Sequence, residues 1–327
     1  MKSKVLISQR IFDEAVDLVR QHFEVDWNRG ETPLAPAILL QRLRDKVGAI
    51  VLLSDRIDEE VLSHCPELKV ISDVAVGYDN IDVEACTRRK IMVTNTPGVL
   101  DDTTSDLTWA LLLSTARRIV ELDQYLRSGQ WREWGMMQLL GYDVHHKVLG
   151  ICGLGRIGLG VARRAKGFNM KILYTDIVRA TPSIEEELGA LFVDKETLMS
   201  ESDFITLHVP LTPQTTHYLS EPEFSLMKRT AILVNASRGP VVDEKALVQA
   251  LQERRIAGAG LDVYEREPQV EPALIEMKNV VLTPHIGSAS HETRLRMAMM
   301  AAENLLAGLT GKRPPNLVNK EVLSLMI

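Results

Sequence analysis

Val148-Leu-Gly-Ile-Cys-Gly-Leu-Gly-Arg-Ile-Gly158 is a short apolar run leading into G-x-G-x-x-G on Gly153, Gly155 and Gly158. The run predicts a strand, and the chain from Arg156 predicts a helix. That is the setting in which this motif cradles a dinucleotide. The first glycine permits the tight turn, the second lets the backbone approach a pyrophosphate, and the third allows close helix packing. The helix N-terminus then faces the anion. Asp176 lies 18 residues beyond Gly158, just past the apolar run Lys171–Tyr174. A carboxylate there accepts hydrogen bonds from an adenosine ribose and repels a 2′-phosphate. The expected cofactor is therefore NAD, with NADH preferred over NADPH. Arg179 stands close by, a residue type able to pair with a phosphate.

Outward from this motif the chain alternates short apolar runs with helical patterns. Downstream, strands are expected at Val148–Cys152, Lys171–Tyr174, Phe204–Val209, Ala231–Asn235, Gly258–Val263 and Val280–Leu282. Helices between them start near Arg156, Ser183, Pro222 and Asp243. Upstream, Val5–Ile7, Ala49–Leu53, Lys69–Ile71 and Ile91–Val93 alternate with helical patterns at Ile11–Val19, Ile57–Leu62 and Val83–Arg88. A long helix is expected over Leu107–Leu126 and a last one over Glu292–Leu309. This rhythm predicts parallel α/β sheets, with strands covered on both faces. At roughly 150 residues per domain, 327 residues suggest two domains.

Composition narrows the function classes. The net charge is −6 and no basic block occurs, so neither nucleic acid nor an anionic membrane surface is an expected partner. No stretch approaches the ~18 apolar residues of a spanning helix, and the N-terminal apolar run is too short for a signal peptide. Cys65, Cys86 and Cys152 form no CxxC pair, so they read as buried free thiols of a reduced, cytoplasmic chain. His145-His146 is the sole close histidine pair, and its side chains are expected to diverge; no metal site is expected. The irregular stretch Ser128–Lys147 carries Trp131, Trp134, Met136 and Met137. It needs cover, from the chain's own body or from a second subunit, and Trp and Met are favoured at interfaces.

Ligands of open parallel sheets bind outside the carboxyl ends of the strands. The residues just past those ends are Gly153, Asp176, Pro210, Ser237-Arg238, Asp262 and His285. A guanidinium, a carboxylate and an imidazole thus share the rim that bears the glycine loop. Reducing a 2-keto acid requires a hydride donor, a proton donor and a grip on a carboxylate. Arg238 offers a planar fork for the carboxylate. His285 is suited to protonate the carbonyl oxygen. Glu267, in Tyr264-Glu-Arg-Glu-Pro268, is placed to hold that imidazole and favour its charged form. HExxH, P-loop and GxSxG patterns are absent from the sequence.

At these residues the sequence resembles the D-isomer-specific 2-hydroxyacid dehydrogenase family, within it most the glyoxylate/hydroxypyruvate reductase branch. The resemblance is carried by Ala75–Asp82, Val93–Leu100, Leu149–Gly158, Asn235–Asp243, Gly260–Pro268 and Thr283–Ser288, and spans nearly the whole chain. It implies an α/β protein of two doubly wound parallel-sheet domains with a cleft between. A flavodoxin-like substrate-binding domain would take residues 1–99 and 288–327, and a Rossmann NAD-binding domain residues 100–287. The family's Arg-Glu-His set falls on Arg238, Glu267 and His285. Its substrate-binding backbone turn falls on Val76-Gly77, with Arg238 and His285 completing the substrate site. Its nicotinamide-amide acceptor falls on Asp262. Further cofactor contacts fall on Thr104, Arg156, Ile157, Asp176, Pro210, Ala236, Arg238, His285 and Gly287. The resemblance also implies a homodimer, with an arm matching Ser128–Lys147.

The departures are informative. Many glyoxylate-reductase relatives are Arg-rich where this chain has Asp176-Ile-Val178, and use NADPH. Phosphite-oxidising relatives carry Lys where this chain has Val76. No regulatory extension of the long phosphoglycerate dehydrogenases is expected after the last helix. Asp101-Asp-Thr-Thr-Ser-Asp106 is more acidic than usual for the family, and the sequence offers no account of it. Alternative functions are a dehydrogenase of 2-ketogluconate or D-lactate, or a non-catalytic NAD-sensing binding protein.

Overall fold

The structure, a computed structural model, describes residues 2–325. The chain forms two compact units and crosses between them twice. One unit runs to Leu100 and resumes at Ala289; the other is Asp101–Ser288.

The first unit holds five parallel strands: β1 (Lys4–Ile7), β2 (Glu24–Trp27), β3 (Gly48–Val51), β4 (Val70–Asp73) and β5 (Met92–Thr94). Their order, β2-β1-β3-β4-β5, is that of a flavodoxin-like sheet. The strands are short runs of Val, Ile, Leu and Ala, buried because helices cover both faces. On one face Leu6, Ala49, Val51, Ile71 and Val93 pack with Leu39, Leu43, Leu62 and Ala85. On the other, Val5, Ile7, Ile50, Val70 and Met92 pack with Val16, Val19 and the helix His291–Leu309. Small residues let that helix approach closely. A Cβ on Gly48 would lie 2.8 Å from Leu305 Cδ1, and one on Gly308 would lie 2.7 Å from Val70 Cγ2.

The second unit holds seven parallel strands: β6 (Val148–Cys152), β7 (Lys171–Thr175), β8 (Ala190–Phe192), β9 (Phe204–Leu207), β10 (Ile232–Asn235), β11 (Gly258–Leu261) and β12 (Val280–Leu282). Their order is β12-β11-β10-β9-β6-β7-β8. Counted from β6, this is the doubly wound dinucleotide-binding order with one strand added. The order reverses between β6 and β9, so a crevice is expected where Gly153 and His208 leave the sheet.

Two sequence expectations are corrected, and two further features come from the structure alone. The helix over Leu107–Leu126 is two helices, Asp101–Ala116 and Ile119–Arg127. Arg118 breaks it with a left-handed backbone at φ 56°. Its guanidinium binds Glu121 at 2.8 Å and the Leu140 carbonyl at 3.1 Å. The Ala116 carbonyl accepts the Tyr142 N–H instead of continuing the helix. Strands β2 and β8 and the helices Pro36–Leu43 and Lys195–Glu201 were not anticipated. Their apolar periodicity is short, and tertiary packing completes it. His145 and His146 do not diverge. Positive φ at His146 turns the ring back, and the two Nδ1 atoms stand 2.9 Å apart. Finally, the acidic run Asp101–Asp106 forms the first turns of a helix, where carboxylates are favourable. Asp102 and Asp106 also pair with Arg164.

Candidate active site

The site is built on the rim of the seven-stranded sheet. Gly153 leaves β6 at φ +91°, a conformation that side chains avoid, and a Cβ there would strike the His208 backbone at 2.9 Å. Gly155 is the N-cap of the helix Arg156–Ala165 and has open space where its Cβ would be. Gly158 lies in that helix's first turn, and its Cβ would lie 2.2 Å from the Gly153 carbonyl oxygen. One turn, one open approach and one close contact are thus met by three glycines. The cradle fits a dinucleotide, with Arg156 and Ile157 bringing the helix N-terminal N–H groups to it.

Asp176 follows β7. Its Oδ2 accepts the Leu154 N–H at 2.7 Å, and its Oδ1 accepts the Ile177 N–H at 2.7 Å. Two backbone bonds therefore aim the carboxylate across the glycine loop. Arg179 is engaged elsewhere, in a two-point pair with Glu185 at 2.9 Å.

Further along the rim, Asn235 ends β10 and braces the next turn. Its Oδ1 accepts from Ser237 N and Oγ, and its Nδ2 donates to the Arg238 carbonyl at 2.9 Å. This Asx turn carries Ala236 and presents the half-buried Arg238. Asn235 escaped the sequence reading, although Asn closing an apolar strand before Ser is a turn signal.

Asp262 follows β11 and is nearly fully buried. Its Oδ1 accepts the Thr283 hydroxyl at 2.6 Å and the Ile286 N–H at 2.8 Å. Burial nevertheless raises its pKa. Thr104 donates to the Gly287 carbonyl at 3.1 Å. A Cβ on Gly287 would stand 3.4 Å from both Asp262 and Thr104, so these three converge. Pro210 lies exposed beyond β9, its carbonyl accepting from Thr215 at 2.6 Å.

His285 has left-handed backbone at φ 53°, fixed by its N–H donating to the Asp262 carbonyl at 2.9 Å. Its Nδ1 stands 2.8 Å from Glu267 Oε2. The other Glu267 oxygen accepts the Tyr264 N–H at 3.0 Å. Burial alone would raise the Glu267 pKa. The His285 hydrogen bond and charge, the Tyr264 N–H and the Arg238 charge outweigh it and hold the carboxyl below its usual range.

Val76-Gly77 belongs to the other unit, just past β4, where Asn95 Nδ2 donates to the Val76 carbonyl at 2.8 Å. Among the described residues no group of three or more His, Cys, Asp and Glu is placed to hold a metal, and no helix is long and apolar enough to cross a membrane. The three cysteines are buried and free.

Comparison with known proteins bears on this geometry. Residues 109–287 match the model of the D-isomer specific 2-hydroxyacid dehydrogenase, NAD binding domain. A glyoxylate reductase of Korarchaeum cryptofilum is 52% identical over 325 residues, covering 99% of this chain and 98% of its own. A crystal structure of a Thermus thermophilus protein superposes with a TM-score of 0.90 at 45% identity, over 96% of this chain and 99% of that one. An NADPH-dependent glyoxylate/hydroxypyruvate reductase of Sinorhizobium meliloti, solved with NADP and malonate, gives a TM-score of 0.87 at 32% identity, over 98% of this chain and 97% of that one.

Proposed function

The chain belongs to the D-isomer specific 2-hydroxyacid dehydrogenases, in their glyoxylate reductase branch, and from that premise we propose that it reduces glyoxylate or hydroxypyruvate with NADH, using Arg238, Glu267 and His285. It is an oxidoreductase of small 2-keto acids with an NAD-binding domain. The unit Asp101–Ser288 is read as the cofactor-binding domain and the other unit as the substrate-binding domain.

The observation that carries the residue roles is the contact between His285 Nδ1 and Glu267 Oε2 at 2.8 Å. With Nδ1 occupied, the proton to be given sits on Nε2. The ionised Glu267 fixes the ring through Nδ1, and the Nε2 proton passes to the ketone oxygen. Arg238 binds the substrate carboxylate through its planar fork. Asp262, held by Thr283 and Ile286, would accept from the carboxamide of a bound nicotinamide. Thr104, Pro210, Ala236 and Gly287 would hold the rest of the dinucleotide. The bound dinucleotide supplies the hydride.

Asp176 supports NADH as the donor. Its carboxylate is held by two backbone N–H groups beside the glycine loop, where a 2′-phosphate would meet like charge. The exposed Trp131, Trp134, Met136 and Met137 support a homodimer, since the chain's own body leaves them uncovered. The test of the reading is a kcat/KM panel of 2-keto acids with both nicotinamides. Glyoxylate and hydroxypyruvate with NADH should lead it; a larger keto acid in first place would shift the substrate assignment.

A further inference from the structure

We propose that Glu244 and Glu265 form a brace that keeps the Arg238 turn in register with the loop bearing Glu267, making both positioning residues for the reaction. This rests on the roles given above to Arg238 and Glu267. The two segments are packed backbone to backbone. A Cβ on Gly239 would lie 1.8 Å from the Tyr264 carbonyl oxygen and 2.5 Å from the Glu265 nitrogen. The contact is thus one residue from Arg238 and two from Glu267.

Gly239 brings no side chain to this contact, and Glu244 and Glu265 supply bonds that run between the two segments. Glu244 opens the helix Glu244–Gln252 and is 7% exposed. Its Oε1 accepts the Glu265 N–H at 2.9 Å, and Glu265 Oε2 accepts the Glu244 N–H at 3.4 Å. Each glutamate therefore holds the other's backbone. His217 closes the far side. Its N–H donates to the Pro240 carbonyl at 2.8 Å, and its Nε2 stands 3.1 Å from Glu265 Oε1. Pro240 is two residues past Arg238, so one carboxylate is tied to both ends of the contact.

A buried carboxyl costs desolvation free energy unless it is bonded. Here its bonds run to the loop that ends at Glu267. A slip of that loop against the turn would separate the group that holds His285 from the group that grips the substrate. Misplacement of about 1 Å in such a constellation can cost ~10²-fold in rate.

The experiment compares Glu244→Ala, Glu244→Gln and Glu265→Ala with Arg238→Ala and His285→Ala. Glu244→Ala is expected to lower kcat/KM for the keto acid ~10- to 100-fold, with kcat falling and KM rising together. NADH affinity, read by fluorescence titration, should fall far less than kcat/KM, because the glycine loop and Asp176 are untouched and only Ala236 and Arg238 of the cofactor contacts lie on the braced turn. Glu244→Gln retains an acceptor for the Glu265 N–H and should stay within threefold of the parent. Glu265→Ala, whose side chain is partly exposed, should act in the same direction as Glu244→Ala and carries the test should the latter fail to fold. The brace is overturned by kcat and KM within twofold in the alanine variants, by a Gln variant as impaired as the Ala one, or by NADH affinity falling in parallel. Near-normal activity in Arg238→Ala and His285→Ala would instead sink the site assignment itself.

Discussion

The imidazole of His285 meets the carboxylate of Glu267 at 2.8 Å, although 18 residues of chain separate them. Two backbone anchors set the geometry: the Asp262 carbonyl holds the His285 N–H, and the Tyr264 N–H holds Glu267. If this pair delivers the proton, His285→Ala lowers kcat for keto-acid reduction by ~10²–10⁴, the usual worth of a positioned general acid. NADH affinity should hardly change. A near-normal kcat in steady-state assays would return His285 to the role of a turn residue.

Glu267→Gln acts on the same step. The carboxyl is held below its usual range by the His285 hydrogen bond, the Tyr264 N–H and the Arg238 charge, so it is ionised at neutral pH. The sign for stability follows from that lowering. The pair stabilises the fold above the unfolded carboxyl value of ~4.3 and loses that contribution as pH falls through the lowered folded value. In activity, a neutral amide is a weaker partner for the His285 ring than the carboxylate, so kcat for keto-acid reduction should fall. A kcat equal to the parent's would exclude the role.

Asp176 predicts a cofactor preference. Like charges brought together cost several kcal/mol, and NADH should be preferred over NADPH by roughly tenfold to a thousandfold, or ~1.4 to 4 kcal/mol. Asp176→Ser should shrink the ratio. The measurement is kcat/KM for each nicotinamide, and equal values in the parent would contradict the reading.

The arm predicts assembly. Trp134 is 76% exposed, Met136 73% and Met137 80% within the single chain. The arm is nonetheless fixed at its base, where a Cβ on Gly141 would lie 2.5 Å from the Ala116 carbonyl oxygen. An apolar projection of this kind should be covered by a second copy. Sedimentation at micromolar concentration should give a dimer, and Trp134→Asp should shift it toward monomer. A monomeric parent would refute this.

His208 predicts acid sensitivity of the fold. Both ring nitrogens are buried without a hydrogen-bond partner, and burial pulls the pKa down to about 3. The unfolded chain takes up a proton near 6.5 that the folded chain refuses. Stability from this group is therefore complete above ~6.5 and erodes by up to ~1.4 kcal/mol per pH unit below it, until pH reaches the folded value. His208→Leu should flatten the fall of Tm between pH 6 and 4. An unchanged slope would mean that the imidazole finds a partner in solution.

Much of this protein is legible in its sequence. The role of each glycine in Gly153–Gly158 follows from spacing alone, because a tight turn, an open approach and a helix contact lie within six residues. The strand β6 and the helix start at Arg156 are likewise local, and β12 is bounded to the residue. The elements β2 and β8 are not legible. Charged residues interrupt Glu24–Trp27, Leu191 and Phe192 of β8 are exposed, and pairing with β1 and β7 is what makes the two segments strands.

The chain's linear order by itself determined where chemistry-bearing residues fall: at the carboxyl ends of parallel strands, on one rim. Strand spacing and the three-residue logic of a glycine turn are local, so neighbours in sequence suffice to specify them. Only the tertiary structure decided which of those residues touch. It set Gly239 against Tyr264, tied Glu244 to Glu265, and broke the long helix at Arg118. Each of these depends on groups far apart in the sequence meeting once the unit has folded, as the Ala116 carbonyl meets the Tyr142 N–H. A residue's periodicity does not encode that pairing, because the partner exists only when the rest of the unit has folded around it.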